Sequence, residues 1–237
     1  LLIYFRRFKL RNLNAANVIE TAVLVGDNVG CSVNLQHHHC FVFGDLNYRI
    51  TDDSQAILEN LARVCQVEKE TSGENWRKER WEKIIKQPTE GSARSMGLNA
   101  TVDDLHLQGS RACEEAWSDF QTMDELSKAM SSQNVFYGFK EAPISFPPSF
   151  RRKRGEAGDC GDYSDLAVLN NAFTTTVASD EDFEGKDEAQ KIEILKKNAR
   201  PPSYTDRILL YSMDDREKAI QMGPYELCDN LTAKEQT

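Results

Sequence analysis

Phe41-Val-Phe-Gly-Asp-Leu-Asn-Tyr-Arg49 joins an apolar run to a short polar segment. The apolar run starts at Cys40, as in a strand, and stops at Gly44, where the backbone can turn without a Cβ clash. Asp45 and Asn47 stand two positions apart, so their side chains point to one side. A carboxylate can take a proton from water, and a carboxamide can donate to a phosphoryl oxygen. The stretch therefore predicts phosphate chemistry, with an ordinary Asp/Asn turn as the alternative.

The composition is that of a globular protein. The chain has 237 residues, 40% hydrophobic and 28% charged, with a net charge of −9. This acidity argues against a broad nucleic-acid-binding face, so we expect no nucleic acid partner. The six scattered cysteines form no C-x-x-C pair, which indicates free thiols in a reducing compartment. No apolar run approaches the roughly 20 residues that span a bilayer, so we expect no transmembrane segment and a cytoplasmic location.

Hydrophobic periodicity predicts a mixture of helices and strands. Helices are expected from Tyr4 into the apolar segment 22–25, and over 51–64, 75–86 and 119–130. Prolines and alternating apolar residues over 137–150 predict an edge strand or a rigid extended segment. Two mobile surface insertions are expected, near 88–113 and 155–191. The histidines at 37–39 predict either a metal site or, as favoured by their alternating directions, a loop without metal.

A second polar pair interrupts an apolar run near the carboxyl end. Pro201-Pro202 stiffens the entry to a predicted strand over 204–211, and this strand contains Asp206-Arg207. A buried charge is costly unless it is paired or functional, so the dipeptide predicts either site residues or ion pairs at a strand end. The four cations Arg151-Arg-Lys-Arg154 follow the stiff segment 137–150, and they indicate either a solvated run or an anion site.

These segments together resemble one known family. Gly44-Asp-Leu-Asn-Tyr-Arg49 resembles the G-D-x-N-Y-R motif of the inositol polyphosphate 5-phosphatases. Arg200-Pro-Pro-Ser-Tyr-Thr-Asp-Arg-Ile-Leu209 resembles their R-x-P-S-Y-T-D-R-I-L motif. The stretch 138–151 between them is similar to the family segment G-F-x-E-x-x-I-x-F-x-P-T-Y-K. Residues 225–229 resemble the approach to the last core strand of the family.

The resemblance implies a fold and a reaction. Residues 1–237 would form a single partial catalytic domain of the endonuclease/exonuclease/phosphatase superfamily. The implied fold is α+β, a DNase-I-like four-layer α/β sandwich of two packed mixed sheets flanked by helices. The implied enzyme hydrolyses the 5-phosphate of phosphoinositides or inositol polyphosphates by in-line attack of water, with Mg²⁺ offsetting charge on the phosphoryl oxygens. Its partners would be phosphoinositide head groups at a membrane surface or soluble inositol phosphates, and the protein would be cytoplasmic and peripheral at membranes.

The resemblance also implies residue roles. Asp45 would activate or orient the attacking water, Asn47 would bind the scissile phosphate, and Asp206 would complete the polar network. Four residues would support these groups: Tyr48, Arg49, Tyr204 and Arg207. Three cations would contact the 4-phosphate of the inositol head group: Arg151, Lys197 and Arg200.

Two departures from the family pattern bear on activity. The magnesium-binding Glu and the H-L-x-A-H motif of the family lie upstream of the segment that Arg11-Asn12 resembles, and the motif S-D-H-x-P-V does not follow residue 232. No metal ligand is identified in this chain, and none of its four histidines occupies a family catalytic position. We therefore expect an incomplete catalytic domain that lacks amino-terminal strands and the last core strand, without 5-phosphatase activity as it stands. The alternative is a non-catalytic phosphoinositide-binding or scaffold fragment.

Overall fold

The computed structural model describes residues 2–22, 32–72, 111–153 and 162–220, together with residues 222, 225 and 227. Its helices are α1 (Leu2–Thr21), α2 (Val33–Gln36), α3 (Ser54–Ser72), α4 (Arg111–Gln121), α5 (Glu125–Ser131), α6 (Leu166–Ala172), α7 (Asp180–Phe183) and α8 (Glu188–Asn198), with a 3₁₀ turn at Glu217–Ala219. None of the described helices is long and apolar enough to cross a membrane. The strands are β1 (His39–Asp45), β2 (Lys140–Glu141) and β3 (Asp206–Ser212). The predicted helix 75–86 and most of the first predicted insertion lie outside the described residues.

The three strands form one antiparallel sheet in the order β1-β3-β2. The register of β1 against β3 places Asp45 opposite Asp206 and His39 opposite Ser212. β2 pairs with the other side of β3 and lies in the proline-bearing segment for which an edge strand was predicted. Among the described residues the fold is thus a mixture of helices with an antiparallel sheet, while the second sheet of the sandwich stays a prediction.

The two faces of the sheet have different surroundings. Leu209 is completely buried and packs with Tyr48 and Leu126 in one hydrophobic cluster. Successive strand residues point to opposite faces, so Phe41 and Phe43 point away from this cluster, and they are 54% and 75% exposed. The sheet therefore packs against helices on one face and exposes aromatic side chains on the other.

A second hydrophobic cluster lies between α3, α4 and α6. The helix predicted over 51–64 is confirmed as α3, although it begins at Ser54 rather than at residue 51, and Ile57, Leu58 and Leu61 are completely buried. These positions share one helix face, which explains their common burial. They belong to the same cluster as Trp117 of α4 and Leu169 of α6.

The single helix predicted over 119–130 is wrong, because two helices meet there. α4 ends at Gln121 and α5 begins at Glu125. Asp124 between them is the N-cap of α5, and its carboxylate accepts from the backbone N–H groups of Leu126 and Ser127 at 3.1 and 3.2 Å. An N-cap residue has non-helical backbone angles, so the helical spacing of apolar residues across it was misleading.

The second predicted insertion, over 155–191, stays a prediction, but its described residues from 162 onward contain regular secondary structure. α6, α7 and the first turn of α8 lie within it, and Leu169 of α6 is completely buried. The acidic and amide residues that suggested disorder include helix caps. Asp187 accepts from the Gln190 N–H at 2.8 Å, and Gln190 accepts from the Asp187 N–H at 3.1 Å, which starts α8.

Arg207 is completely buried in β3 and is held by two carboxylates. Its Nη1 donates to both oxygens of Asp124 at 2.7 and 2.8 Å, and its Nε and Nη2 donate to Glu141 at 2.8 and 2.6 Å. Burial lowers the pKa of Arg207, but the hydrogen bonds to Glu141 and the charge of Asp124 outweigh it and leave the pKa raised. Ion pairing therefore explains why a charged residue stands at position 207 of a buried strand. The neighbouring Asp206 is exposed.

Replacing this arginine is expected to be strongly destabilising. Arg207→Met leaves Asp124 and Glu141 without their counter-ion in the core, which should lower the free energy of unfolding by about 3–5 kcal/mol. Chemical denaturation followed by circular dichroism measures this loss. Arg216→Met removes an exposed arginine and should stay within about 0.5 kcal/mol. Equal losses in both variants would contradict the role assigned to the buried pair.

Candidate functional site

The segment after β1 is a tight turn that exposes the two polar side chains of the first motif. Gly44 has φ +125° and Asn47 has φ +60°, both in the region that favours glycine or asparagine. The Asn47 backbone N–H donates to Asp45 Oδ1 at 2.9 Å, closing an Asx turn. The Arg49 guanidinium donates to Asn47 Oδ1. The predicted turn and the predicted site residues are therefore the same feature.

Asp206 lies directly across the sheet from Asp45. The two residues are partners in the antiparallel register, and Leu46 N–H donates to Thr205 O at 2.7 Å beside them. Asp206 Oδ2 accepts from the hydroxyls of Thr205 and Ser149 at 3.2 and 3.4 Å. Both carboxylates are exposed. Like charges directly opposite each other in a sheet are destabilising, so this pair is an unfavourable arrangement for the fold.

Tyr48 fixes the turn to α1. Its side chain is 1% exposed, and its hydroxyl donates to Asn12 Oδ1 at 2.8 Å. The ring of Phe8 meets the Tyr48 ring edge-on with 6.3 Å between centroids. Burial raises the pKa of Tyr48 to about 12, although the Arg11 charge opposes the shift. The phenol thus stays neutral and acts as a hydrogen-bond donor.

Arg49 is positioned by Glu125. The Arg49 N–H donates to Glu125 Oε2 at 2.9 Å, and the Glu125 N–H donates back to Arg49 O at 2.9 Å. Arg11 of α1 also donates to Glu125 Oε2. The Arg49 guanidinium carbon lies 3.9 Å from the centroid of the Phe150 ring, a cation–π contact. One buried carboxylate therefore ties the turn to α1 and α5.

The second motif, residues 200–209, is joined by hydrogen bonds to the segment 138–151 and to the end of the first motif, residues 44–49. The Tyr204 hydroxyl donates to Phe146 O at 2.6 Å. Ser203 and Phe150 exchange two backbone hydrogen bonds at 2.8 and 3.0 Å. The Ser203 hydroxyl accepts from the Ile50 N–H at 3.1 Å. The three segments that carry the family resemblance therefore form one connected unit.

A cleft of about 910 Å³ brings six of the predicted site residues together. Its walls come from α1, from the turn after β1 and from the end of α8. The predicted residues that line it are Asp45, Asn47, Tyr48, Arg49, Lys197 and Arg200. Lys197 and Arg200 thus lie in the same cleft as the first motif, although they are distant from it in the chain.

Four predicted residues do not line this cleft. Tyr204 and Arg207 are buried, and their side chains form the contacts to Phe146, Asp124 and Glu141 described above. Asp206 stands beside Asp45. Arg151 is half-buried next to Phe150, and its carbonyl accepts from the Thr174 N–H at 2.9 Å. The structure therefore places Arg151 near the site without bringing it into the cleft.

Sequence reasoning missed the contribution of α1. Arg7 and Arg11 also line the cleft, so five cationic side chains face two carboxylates there: Arg7, Arg11, Arg49, Lys197 and Arg200 against Asp45 and Glu193. The whole chain carries a net charge of −9, so this local excess of positive charge is not a property of the composition. The i,i+4 spacing of Arg7 and Arg11 was visible in the sequence, but the direction of that helix face was not.

The donor set around Asp45 fits a metal ion only in part. The described residues, which include the histidines at 37–39, contain no group of three or more His, Cys, Asp or Glu side chains able to hold a metal. Mg²⁺ is commonly held by one or two carboxylates, with water and substrate phosphate as the other ligands. The exposed pair Asp45 and Asp206 matches that limited requirement.

Comparisons with known proteins give a structural likeness alone. No protein-family model matches the chain, and no curated protein matches it. Among solved structures, the chain is similar to the inositol polyphosphate 5-phosphatase domain of SPsynaptojanin in complex with inositol (1,4)-bisphosphate and calcium ion. The match has 19% identity and a TM-score of 0.42, and it covers 85% of this chain and 34% of that one. The chain thus spans about a third of that solved structure.

Repulsion between Asp45 and Asp206 can be measured as stability. Asp45→Asn keeps an oxygen for the Asn47 N–H but removes one charge, so at low salt it should raise the free energy of unfolding by about 0.2–1 kcal/mol. The gain should shrink at high salt as the repulsion is screened. Thermal unfolding at both salt concentrations measures it. Asp214→Asn, at an exposed turn position, is the control; an equal gain there would contradict a specific repulsion.

Proposed function

We propose that this chain is part of an inositol polyphosphate 5-phosphatase and that its cleft binds the phosphorylated ring of the substrate. The observation that carries the proposal is the convergence of Asp45 and Asn47 with Lys197 and Arg200 in one cleft. Lysine and arginine bind phosphate oxygens through charge-assisted hydrogen bonds. A carboxylate beside such a site can take a proton from an attacking water, and a carboxamide can donate to a phosphoryl oxygen as charge increases there.

Each residue then has a chemical task. The Asp45 carboxylate takes a proton from the attacking water or orients it. Asn47 Oδ1 already accepts from Arg49, so its amide nitrogen is directed as a donor to a phosphoryl oxygen, where charge increases during the reaction. Lys197 and Arg200 bind a neighbouring phosphate and fix the ring. Tyr48 and Arg207 act through the turn and the strand rather than on the substrate.

Mg²⁺ is the proposed cofactor. Asp45 and Asp206 would hold it, with substrate phosphate and water as the remaining ligands. When bound, the ion offsets negative charge on the phosphoryl oxygens. A cation between the two carboxylates would also remove their mutual repulsion, which gives this pair a reason to be placed across the sheet.

A non-catalytic phosphoinositide-binding or scaffold protein is the second candidate function. The observation that favours it is that five cationic side chains line the cleft, whereas the described residues contain no group of three potential metal ligands. Binding requires the cations alone, whereas hydrolysis also requires a placed metal and water. Under either candidate the protein would act in the cytoplasm and at a membrane surface.

Binding is tested with cation variants on and beyond α8. Lys197→Gln and Arg200→Gln should each weaken binding of inositol 1,4,5-trisphosphate about tenfold, because a hydrogen bond to a charged group contributes about 1.5–3 kcal/mol. Lys191→Gln on the same helix is the matched control, since Lys191 pairs with Glu188 at 2.9 Å and does not line the cleft. Isothermal titration calorimetry measures the dissociation constants. Absence of binding, or equal losses in all three variants, would overturn the proposal.

Phosphate release from the same ligand in the presence of Mg²⁺ separates the two candidates. If the chain hydrolyses the ligand, Asp45→Asn should lower the rate at least about 10²-fold while leaving binding in place. Binding without release agrees with the inactivity expected from the sequence and favours the second candidate. Release at the rate of complete family members would contradict that expectation of inactivity.

A further inference from the structure

β1 has one edge that pairs with no strand among the described residues. In the sheet order β1-β3-β2 it lies at the end, with β3 on one side only. Leu46 N–H donates to Thr205 O, and Met213 N–H donates to His38 O, so the even-numbered positions along β1 bond to β3. Hydrogen-bonding directions alternate along an antiparallel strand. The N–H and C=O groups of the odd-numbered positions in 39–45 therefore point to the other side, the outer edge of β1.

This outer edge lacks the features that commonly protect strand edges. Monomeric proteins protect them with lysine, proline or bulges, or by keeping the edge strand very short. β1 spans seven residues, His-Cys-Phe-Val-Phe-Gly-Asp, and contains neither lysine nor proline. The opposite edge of the described sheet is β2, which has two residues. The described sheet thus offers one long edge to which a further strand can add.

The exposed side chains of β1 are complementary to those of a second, antiparallel copy of the strand. Full overlap of the two copies puts Val42 on the two-fold axis and Phe41 opposite Phe43 of the second copy. It also puts His39 opposite Asp45 of the second copy, and symmetry makes each pair occur twice. Phe41 and Phe43 are 54% and 75% exposed, so both rings are available. Aromatic pairs and polar pairs across neighbouring strands stabilise a sheet.

The polar groups at the two ends of β1 suit this pairing. His39 Nδ1 is hydrogen-bonded to Ser212 Oγ at 2.9 Å. When Nδ1 accepts from that hydroxyl, Nε2 carries the ring proton and can donate to a carboxylate. Asp45 stands opposite Asp206 in its own sheet. A donor from the second copy would act against the repulsion between these two carboxylates.

We propose that the outer edge of β1 is an interface at which two copies of this chain pair, antiparallel and in the fully overlapped register. The two sheets then form one continuous sheet, held by main-chain hydrogen bonds and by the paired side chains on its exposed face. Each described sheet has one such edge, so pairing stops at the dimer and does not continue into a filament. This inference goes beyond the proposed function and does not depend on it.

The interface is tested by sedimentation equilibrium of the full chain. The parent should show a reversible monomer–dimer equilibrium between about 1 and 100 μM, the range of weak interfaces. Phe43→Lys should raise the dissociation constant at least about tenfold, because lysine disfavours pairing at a strand edge and the lost aromatic pair occurs twice. A parent that stays monomeric throughout this range overturns the inference and leaves the proposed function standing.

Ile208→Lys is the matched control. Ile208 is the register partner of Phe43 and is 50% exposed on the same face, but it lies in β3, away from the outer edge. This variant should dimerise like the parent. Equal weakening by both substitutions would mean that the copies pack through the face of the sheet, which overturns pairing at the edge. Both positions are exposed, so circular dichroism should show the fold of the parent.

Cysteine cross-linking tests the register without relying on those variants. Val42 faces its own counterpart in a non-hydrogen-bonded pair, with about 4.5 Å between Cα atoms, which is within reach of a disulfide. Val42→Cys should therefore give a covalent dimer with an added oxidant such as copper phenanthroline. Phe41→Cys should not, because its counterpart lies two positions further along the strand, about 8–9 Å away. The parent measures the background from the native cysteines. No cross-linking of Val42→Cys above that background, or an equal yield from Phe41→Cys, overturns the proposed register.

Discussion

The buried ion pairs of Arg207 hold the segments of the candidate site in place. The guanidinium is completely buried and binds Asp124 at the start of α5 and Glu141 in β2, so that one side chain joins three elements. Removing these charges from water costs several kcal/mol for each ion, and good pairing geometry is needed to offset that cost. A shift of β3 against either partner would leave a charge unpaired in the core. The register of β3, and with it the position of Asp206 at its start, is therefore fixed.

The dipeptide Asp124-Glu125 connects the two motifs. Asp124 binds Arg207 of the second motif, while Glu125 accepts from the Arg49 N–H of the first motif and from Arg11 of α1. Burial raises the pKa of Glu125, and the Arg11 charge and the Arg49 N–H oppose the shift. Two adjacent acidic residues thus transmit the geometry of β3 to the turn that presents the polar side chains of the site. Asp124 and Glu125 thus position the turn although neither residue lines the cleft.

Local patterns predicted the elements correctly where the pattern and the packing agree. The strand over 204–211, the turn at Asp45 and the helix from residue 51 were of this kind. Asp124 was missed because its role as N-cap and as partner of Arg207 depends on a residue far away in the chain, which periodicity does not report. Arg7 was missed for a related reason: its helix was predicted, but the face that lines the cleft depends on how α1 packs against the Tyr48 ring.

Charge is used in two different ways in this chain. Arg207 is paired with carboxylates and stabilises the fold, because an unpaired charge in the core would be strongly destabilising. Lys197 and Arg200 face the cleft without a carboxylate partner in the described residues, and Asp45 stands opposite another carboxylate. Such arrangements add nothing to stability, and like charges across a sheet oppose it. Residues that are kept in unfavourable positions are typical of sites that bind or react, where stability is exchanged for function. We therefore propose the charges that face the cleft, rather than the buried pairs, as the place of ligand chemistry.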